Sequence, residues 1–378
     1  VVLKTVMRTD YTADVAIIGA GPAGTACAIH LGQLGVENVV LVDRYDFPRD
    51  KTCGSGVSPK GIETLRALGV WEQIVPEAYR IKGLRLVTRG DREAFLSGGE
   101  ETAAIVCSRR KLDFILLERA RSLGTRFVSN FDAAALIYDN GNRVAGFTAR
   151  DGTNVRAKFT IVANGAHSMF AASSHPKQMM QAIMGWWDHV PFTPNYVEMV
   201  FDKSVEPCYG WLFPESADRV NIGICYDDPL HQKNARTLFE RFLEKHFSSR
   251  LAGAVQAGAW KGHPISYSYR ITKLHSPGRL VIGEAGRMTH PATAEGIYQG
   301  MRSGMIAAEA AGKVIARSMT EPVAWAEYEA QCRRAFRVSF LAAKLWRRAV
   351  TSPLLDGLVG FGQRPMVKTA LGKLMAQM

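Results

Sequence analysis

The 378 residues contain no apolar run near the roughly 18 residues that a membrane-spanning helix needs, so an integral helical membrane protein is not expected. The opening stretch VVLKTVMRTDYTAD has neither the apolar core nor the cleavage site of a secretion signal, and no leader is expected. Cysteine is scarce: positions 27, 53, 107, 208, 225 and 332 form no C-x-x-C pair and no metal-like pairing with histidine. That pattern points away from a metal site or a disulfide scaffold and towards reduced thiols in a cytoplasmic setting. There is no internal repeat and no low-complexity linker. With 47% hydrophobic and 22% charged residues, the chain has the composition of a globular protein, long enough for two interlocked domains.

What is plentiful is positive charge. Of the formal +12, the stretch from Arg333 to Met378 carries +8, with Asp356 its lone acid. Apolar residues are interleaved there, in FRVSFLAAKLWRRAV and LLDGLVGFG. Two readings fit: a solvated helical C-terminus packed on the body, or a basic amphipathic surface touching anionic lipid at the inner membrane face. No nucleic-acid-binding motif accompanies the charge, so nucleic acid is not an expected partner.

The most informative segment is DVAIIGAGPAGTACAIHLGQLGVENVVLVDR. Val15–Ile18 reads as a buried parallel strand, followed by Gly19-Ala20-Gly21-Pro22-Ala23-Gly24, an alanine-rich helix, and a second strand, Val39–Val42, ending at Asp43. The glycines permit a tight turn and close approach of backbone to a pyrophosphate, and the helix N-terminus favours negative charge. Asp43 is placed to accept hydrogen bonds from a ribose. Strand, turn, helix, strand and acid in that order specify a dinucleotide site.

Three later segments resemble flavoproteins built like the aromatic hydroxylases. VCSRRKLDFILLERA matches their R-x-x-L-D segment at Arg109 and Asp113. TIVANGAHSMF resembles ADG-x-x-S, with Asn164 in place of Asp. RLVIGEAGRMTHPATAEGI resembles GDA…P-x-T-G-E-G-I, with Glu284 in place of an Asp that contacts the ribityl chain and Ala294 in place of Gly. The resemblance implies FAD, held by Gly19, Gly21, Pro22, Ala23, Gly24, Asp43, Arg44, Cys53, Gly54, Arg109, Gly283, Glu284, Pro291, Glu295, Gly296 and Ile297. A strand at Leu280–Ile282 and a helix opened by Glu295-Gly296-Ile297 would turn a positive helix end towards the edge of the flavin that gains charge on reduction. Only one complete G-x-G-x-x-G is present, so electrons are expected from transiently bound NAD(P)H or a protein donor.

Within that fold, FPRDKTCGSGVSPKGIETLRALGV resembles the K-x-C-G-G-G-(L/I)-(S/T)-P loop of the geranylgeranyl reductase family, matching at Lys51, Cys53, Gly54, Gly56 and Pro59. SVEPCYGWLFPES is similar to that family's P-x-x-Y-x-W-x-F segment, one residue shorter between proline and tyrosine. The resemblance implies saturation of C=C bonds in an isoprenoid or similar apolar substrate, with Cys53, Tyr209 and Trp211 as catalytic candidates and Tyr209, Trp211 and Phe213 lining the substrate. On their own, three rings at alternate strand positions fit core packing as well as a cavity wall. Likewise Cys53 fits a proton-delivery role or a small thiol in a turn. His290, just before Pro291, is read as structural, its place on the loop leaving a donor role open.

An FAD-dependent monooxygenase, halogenase or dehydrogenase shares this fold. MGWWDHVP does not fit the W-x-W-x-I-P segment of tryptophan-type halogenases. The expected architecture is α/β: a Rossmann-like FAD-binding domain from 10–80, 105–172 and 276–320, an interleaved antiparallel substrate sheet from 81–104 and 173–275, and a helical cap over 321–378. No metal site is expected.

Overall fold

The computed structural model describes residues 10–97, 102–171, 178–352 and 357. At the centre of its first sheet, Val15–Ile18, Val39–Val42 and Phe159–Val162 have every side chain buried. Arg279–Val281, Asn154–Val162, Tyr11–Ile18, Val39–Val42 and Arg126–Val128 lie side by side in that order, all parallel. Val39, Val40, Leu41 and Val42 are all buried, as a strand covered on both faces demands. Ala133–Tyr138 and Val144–Ala149 extend the sheet as an antiparallel meander from Asn154–Val162, through turns at Asn-Gly and Asp-Gly sequences.

Two helices of small residues cover the same face. Pro22–Gln33 follows Gly21, with Pro22 at the first turn where its missing N–H costs nothing. Ile297–Ile315 crosses it so closely that a Cβ on Gly304 would lie 2.4 Å from the carbonyl oxygen of Ala23. The small-residue composition of both helices is therefore a packing requirement.

The second sheet is antiparallel in its middle: Gln178–Asp188, Arg219–Asp227, Gly210–Pro214 and Tyr196–Val200 in that order, continued by Gly83–Val87 and Glu93–Ser97. Alternation along these strands splits their side chains. Leu212, Ile222 and Ile224 pack with Phe239, Phe242 and Phe247 of the helix Ala235–Leu251, while Trp211, Met184 and Cys225 face the other way. A small three-stranded sheet of Gly56–Val57, Ala104–Val106 and Tyr79–Ile81 lies between. The last helix, Glu321–Val350, packs Trp325 and Tyr328 against the nucleotide side and Ala343, Trp346 and Val350 against the cluster holding Tyr209 and Trp211.

Candidate active site

One cavity of about 680 Å³ runs from the carboxyl ends of the parallel strands to the inner face of the second sheet. Its first end is the glycine turn. Gly19 has φ +105°, and a Cβ there would sit 2.6 Å from the Ala163 carbonyl oxygen, so only glycine fits between the strand ends. Gly21 opens onto the cavity, where an added Cβ would meet only the guanidinium groups of Arg109 and Arg49, at 3.8 and 3.9 Å. Asp43 accepts from Ala20 N at 2.8 Å and from Tyr45 N at 3.0 Å, which locks its carboxylate at the cavity rim.

Asp113 is fully buried and holds two cations. Arg109 donates to both its oxygens at 2.7 Å, and Arg49 Nη1 approaches at 3.2 Å. Arg49 Nε and Glu295 Oε1, both on cavity-lining residues, are buried with no hydrogen-bond partner among the described residues. The unpaired Arg49 nitrogen, with Arg109 beside the glycine cradle, suits the anionic part of a large polar ligand, and the unpaired Glu295 oxygen suits an N–H or O–H donor on it. The residues present therefore fit FAD.

Thirteen of the sixteen cofactor candidates line this cavity: Gly19, Gly21, Pro22, Ala23, Asp43, Arg44, Cys53, Gly54, Arg109, Glu284, Glu295, Gly296 and Ile297. Gly24, Gly283 and Pro291 do not. Gly24 serves packing, since a Cβ there would fall 1.9 Å from the Gly19 carbonyl oxygen. Gly283 has φ +59° and backs onto Ala23. Pro291 turns its carbonyl to Arg347. Glu284, standing where an Asp would contact a ribityl chain, lines the cavity and accepts from Ser266 N at 3.0 Å; burial raises its pKa despite the nearby Lys51.

The other end of the cavity is the aromatic wall. Tyr209, Trp211 and Phe213 run in line with successive ring centroids 6.2 Å apart. All three line the cavity although Tyr209 and Trp211 are buried, so wall and core turn out to be the same thing. The strand starts at Gly210, one residue later than the ring spacing suggests, but Tyr209 O still accepts from Cys225 N at 2.9 Å. The wall abuts the cysteine loop: a Cβ on Gly54 would lie 3.3 Å from the Phe213 ring. Trp211 Nε1 donates to Asn221 Oδ1 at 2.7 Å, and Asn221 Nδ2 donates to the Gly54 carbonyl at 3.2 Å and to Glu215 at 3.1 Å. The indole N–H thus fixes wall to loop and is not offered to a ligand.

Tyr209 donates its phenol proton to the Thr293 carbonyl, and burial raises its pKa well above the usual value. Cys53 is half-buried; its sulfur accepts from Ser55 N at 3.3 Å and adjoins Arg109. His290 is a neutral structural group: burial lowers its pKa to about 4, Nδ1 accepts from Thr293 N at 3.1 Å, and Nε2 donates to Ser339 O at 3.3 Å.

Arg49, Asn221, Lys51 and His263 were not assigned to the site from sequence. Lys51 and His263 line its middle; burial lowers their pKa values to about 8 and about 3, with further positive charges nearby. Arg49 carries no local sequence signal, because its partner Asp113 lies far along the chain. Arg347, counted above among the basic tail, is a correction: it is buried, donating to Pro291 O at 2.9 Å and paired with Asp227. LLDGLVGFG and the cations beyond it lie outside the described residues, apart from Gly357.

The family model described as FAD binding domain matches residues 12–336. The chain belongs to that family. It is an FAD-binding oxidoreductase. It is 28% identical over 329 residues to the menaquinone reductase of Mycobacterium tuberculosis, covering 80% of this chain and 77% of that one. It is 25% identical over 376 residues to the digeranylgeranylglycerophospholipid reductase of Thermoplasma acidophilum, covering 95% and 93%. Among solved structures, a geranylgeranyl bacteriochlorophyll reductase-like protein from Thermoplasma acidophilum superposes with a TM-score of 0.84 at 22% identity, over 93% of this chain and 91% of that one. A flavin-dependent brominase superposes with a TM-score of 0.82 at 21% identity, over 97% and 94%. At these identities the two structures speak to the fold alone.

Proposed function

We propose that this flavoprotein saturates C=C bonds of an isoprenoid or similar apolar substrate, with electrons from NAD(P)H or a protein donor. One observation carries the reading: the cavity passes without interruption from the nucleotide cradle to an aromatic wall flanked by Leu84, Met184, Val197, Met199 and Ile265. A ligand seated there is gripped by area and shape, with little to hydrogen-bond. The names of the two reductase relatives support it.

FAD, once bound and reduced, supplies a hydride. The residues of the chain do the rest. Gly19, Gly21, Arg109 and Arg49 would hold the diphosphate, and the start of the helix Ile297–Ile315 would face the flavin with its positive end. Trp211, fixed to the Gly54 loop through Asn221, and Phe213, packed against Gly54, orient the substrate and exclude water. The alkene carbon that does not receive the hydride takes a proton, and Cys53 Sγ–H is the half-buried donor at the junction of loop and wall. Tyr209, its proton engaged by Thr293 O, sets the shape of the loop that opens the helix.

The test is anaerobic. The protein is reduced with dithionite and mixed with geranylgeranyl diphosphate or a prenylated quinone, and flavin absorbance and substrate mass are followed together. Reoxidation without oxygen, with two mass units gained per bond, supports the reductase. Reoxidation only on admitting oxygen, with an oxygenated or halogenated product, would replace it with the monooxygenase or halogenase reading.

A further inference from the structure

The last helix has two chemically opposed faces. Inward, Trp346 packs against Phe201 at 6.0 Å between ring centroids, and Phe201 against Tyr209 at the same distance. Outward, Val338, Leu341 and Leu345 are 80%, 49% and 67% exposed. Their spacing of three and four residues puts them on one stripe, and Arg334, Arg337, Lys344 and Arg348, also exposed, fall within the same third, roughly, of the helix circumference. From Ala330 to Val350 there is no acidic residue. Arg337, Lys344 and Arg348 therefore have no acid within a helical turn to neutralise them.

We propose that this face docks the protein on an anionic lipid bilayer, with the three aliphatic side chains in the headgroup boundary and the cations against lipid phosphates. Charge decides the occupant. A second copy meeting the same face would bring two cationic stripes together in a chain already at +12. Nucleic acid would satisfy the cations but leave the exposed leucines in water. An anionic membrane satisfies both. Among the described residues no helix is long and apolar enough to cross a bilayer, so the contact lies on the surface. The inference rests on the helix alone and holds whatever the substrate.

The experiment uses the full-length holoprotein in flotation with vesicles of phosphatidylcholine alone and of phosphatidylcholine with phosphatidylglycerol. Recovery with the anionic vesicles only, lost at high salt, is expected. Leu341→Asp with Leu345→Asp, and separately Arg337→Gln with Lys344→Gln, should each lower partitioning about tenfold or more. Both pairs are exposed, and unchanged flavin absorbance and thermal unfolding confirm folding. Wild-type protein that floats with neither vesicle, or variants that float like wild type, would overturn the proposal. So would a dimer in sedimentation velocity that the leucine variant dissociates, which would give the face to a second copy.

Discussion

Arg347 Nη1 donates to the carbonyl oxygen of Pro291 at 2.9 Å, tying the last helix to the loop that opens the helix Ile297–Ile315. The other arm of the guanidinium pairs with Asp227 on the second sheet. One side chain thus joins cap, cofactor loop and sheet. Arg347→Met should strand Asp227 and the Pro291 carbonyl together and cost about 3 kcal/mol, read as a lower urea midpoint. Flavin retention should fall with it. An unchanged midpoint would show that the contact is dispensable.

Asn221 accepts from Trp211 and donates to Gly54 and Glu215, so Asn221→Ala removes three hydrogen bonds and frees the loop from the wall. Stability should drop by about 1–3 kcal/mol, and kcat by more than KM, because the loop carries Cys53 while the rings stay in place. A change confined to KM would show that the link does not position the loop.

Cys53→Ala should retain FAD and lower turnover about 100-fold, within the range for a lost proton donor. Tyr209→Phe should retain FAD and lower turnover less, about tenfold, since it disturbs the Thr293 carbonyl rather than a reacting atom. Reversal of that order in single-turnover reoxidation would make Tyr209 the donor.

Lys51 gives the site a pH dependence. Burial, with Arg109, lowers its pKa from 10.5 to about 8, so its charge is present below about pH 8 and lost above. A bound FAD diphosphate within reach of Lys51 would favour the charged form. FAD affinity should therefore be highest below pH 8 and fall as pH rises through it, and Lys51→Met should flatten the profile. A wild-type titration of flavin fluorescence that is flat between pH 7 and about 9 would separate Lys51 from cofactor binding.

Some of the site was legible because it is local. Steric rules at Gly19, the proline-led helix at Pro22, the apolar run Val39–Val42 and the helix start at Gly296 follow from a few consecutive residues, and the structure has each of them. Alternation likewise put Trp211 and Phe213 on one face.

The sequence by itself determined a dinucleotide turn, the residue types of an aromatic wall and a basic final helix free of acid from Ala330 to Val350, since neighbouring residues and their periods encode these. Only the tertiary structure decided that Arg49 joins Arg109 on Asp113, that Asn221 ties Trp211 to Gly54, and that Arg347 turns inward while Arg348 stays out. Each of these depends on a partner far away in the chain. The free energy of burying a charge or an amide is set by that partner, and no local pattern carries it.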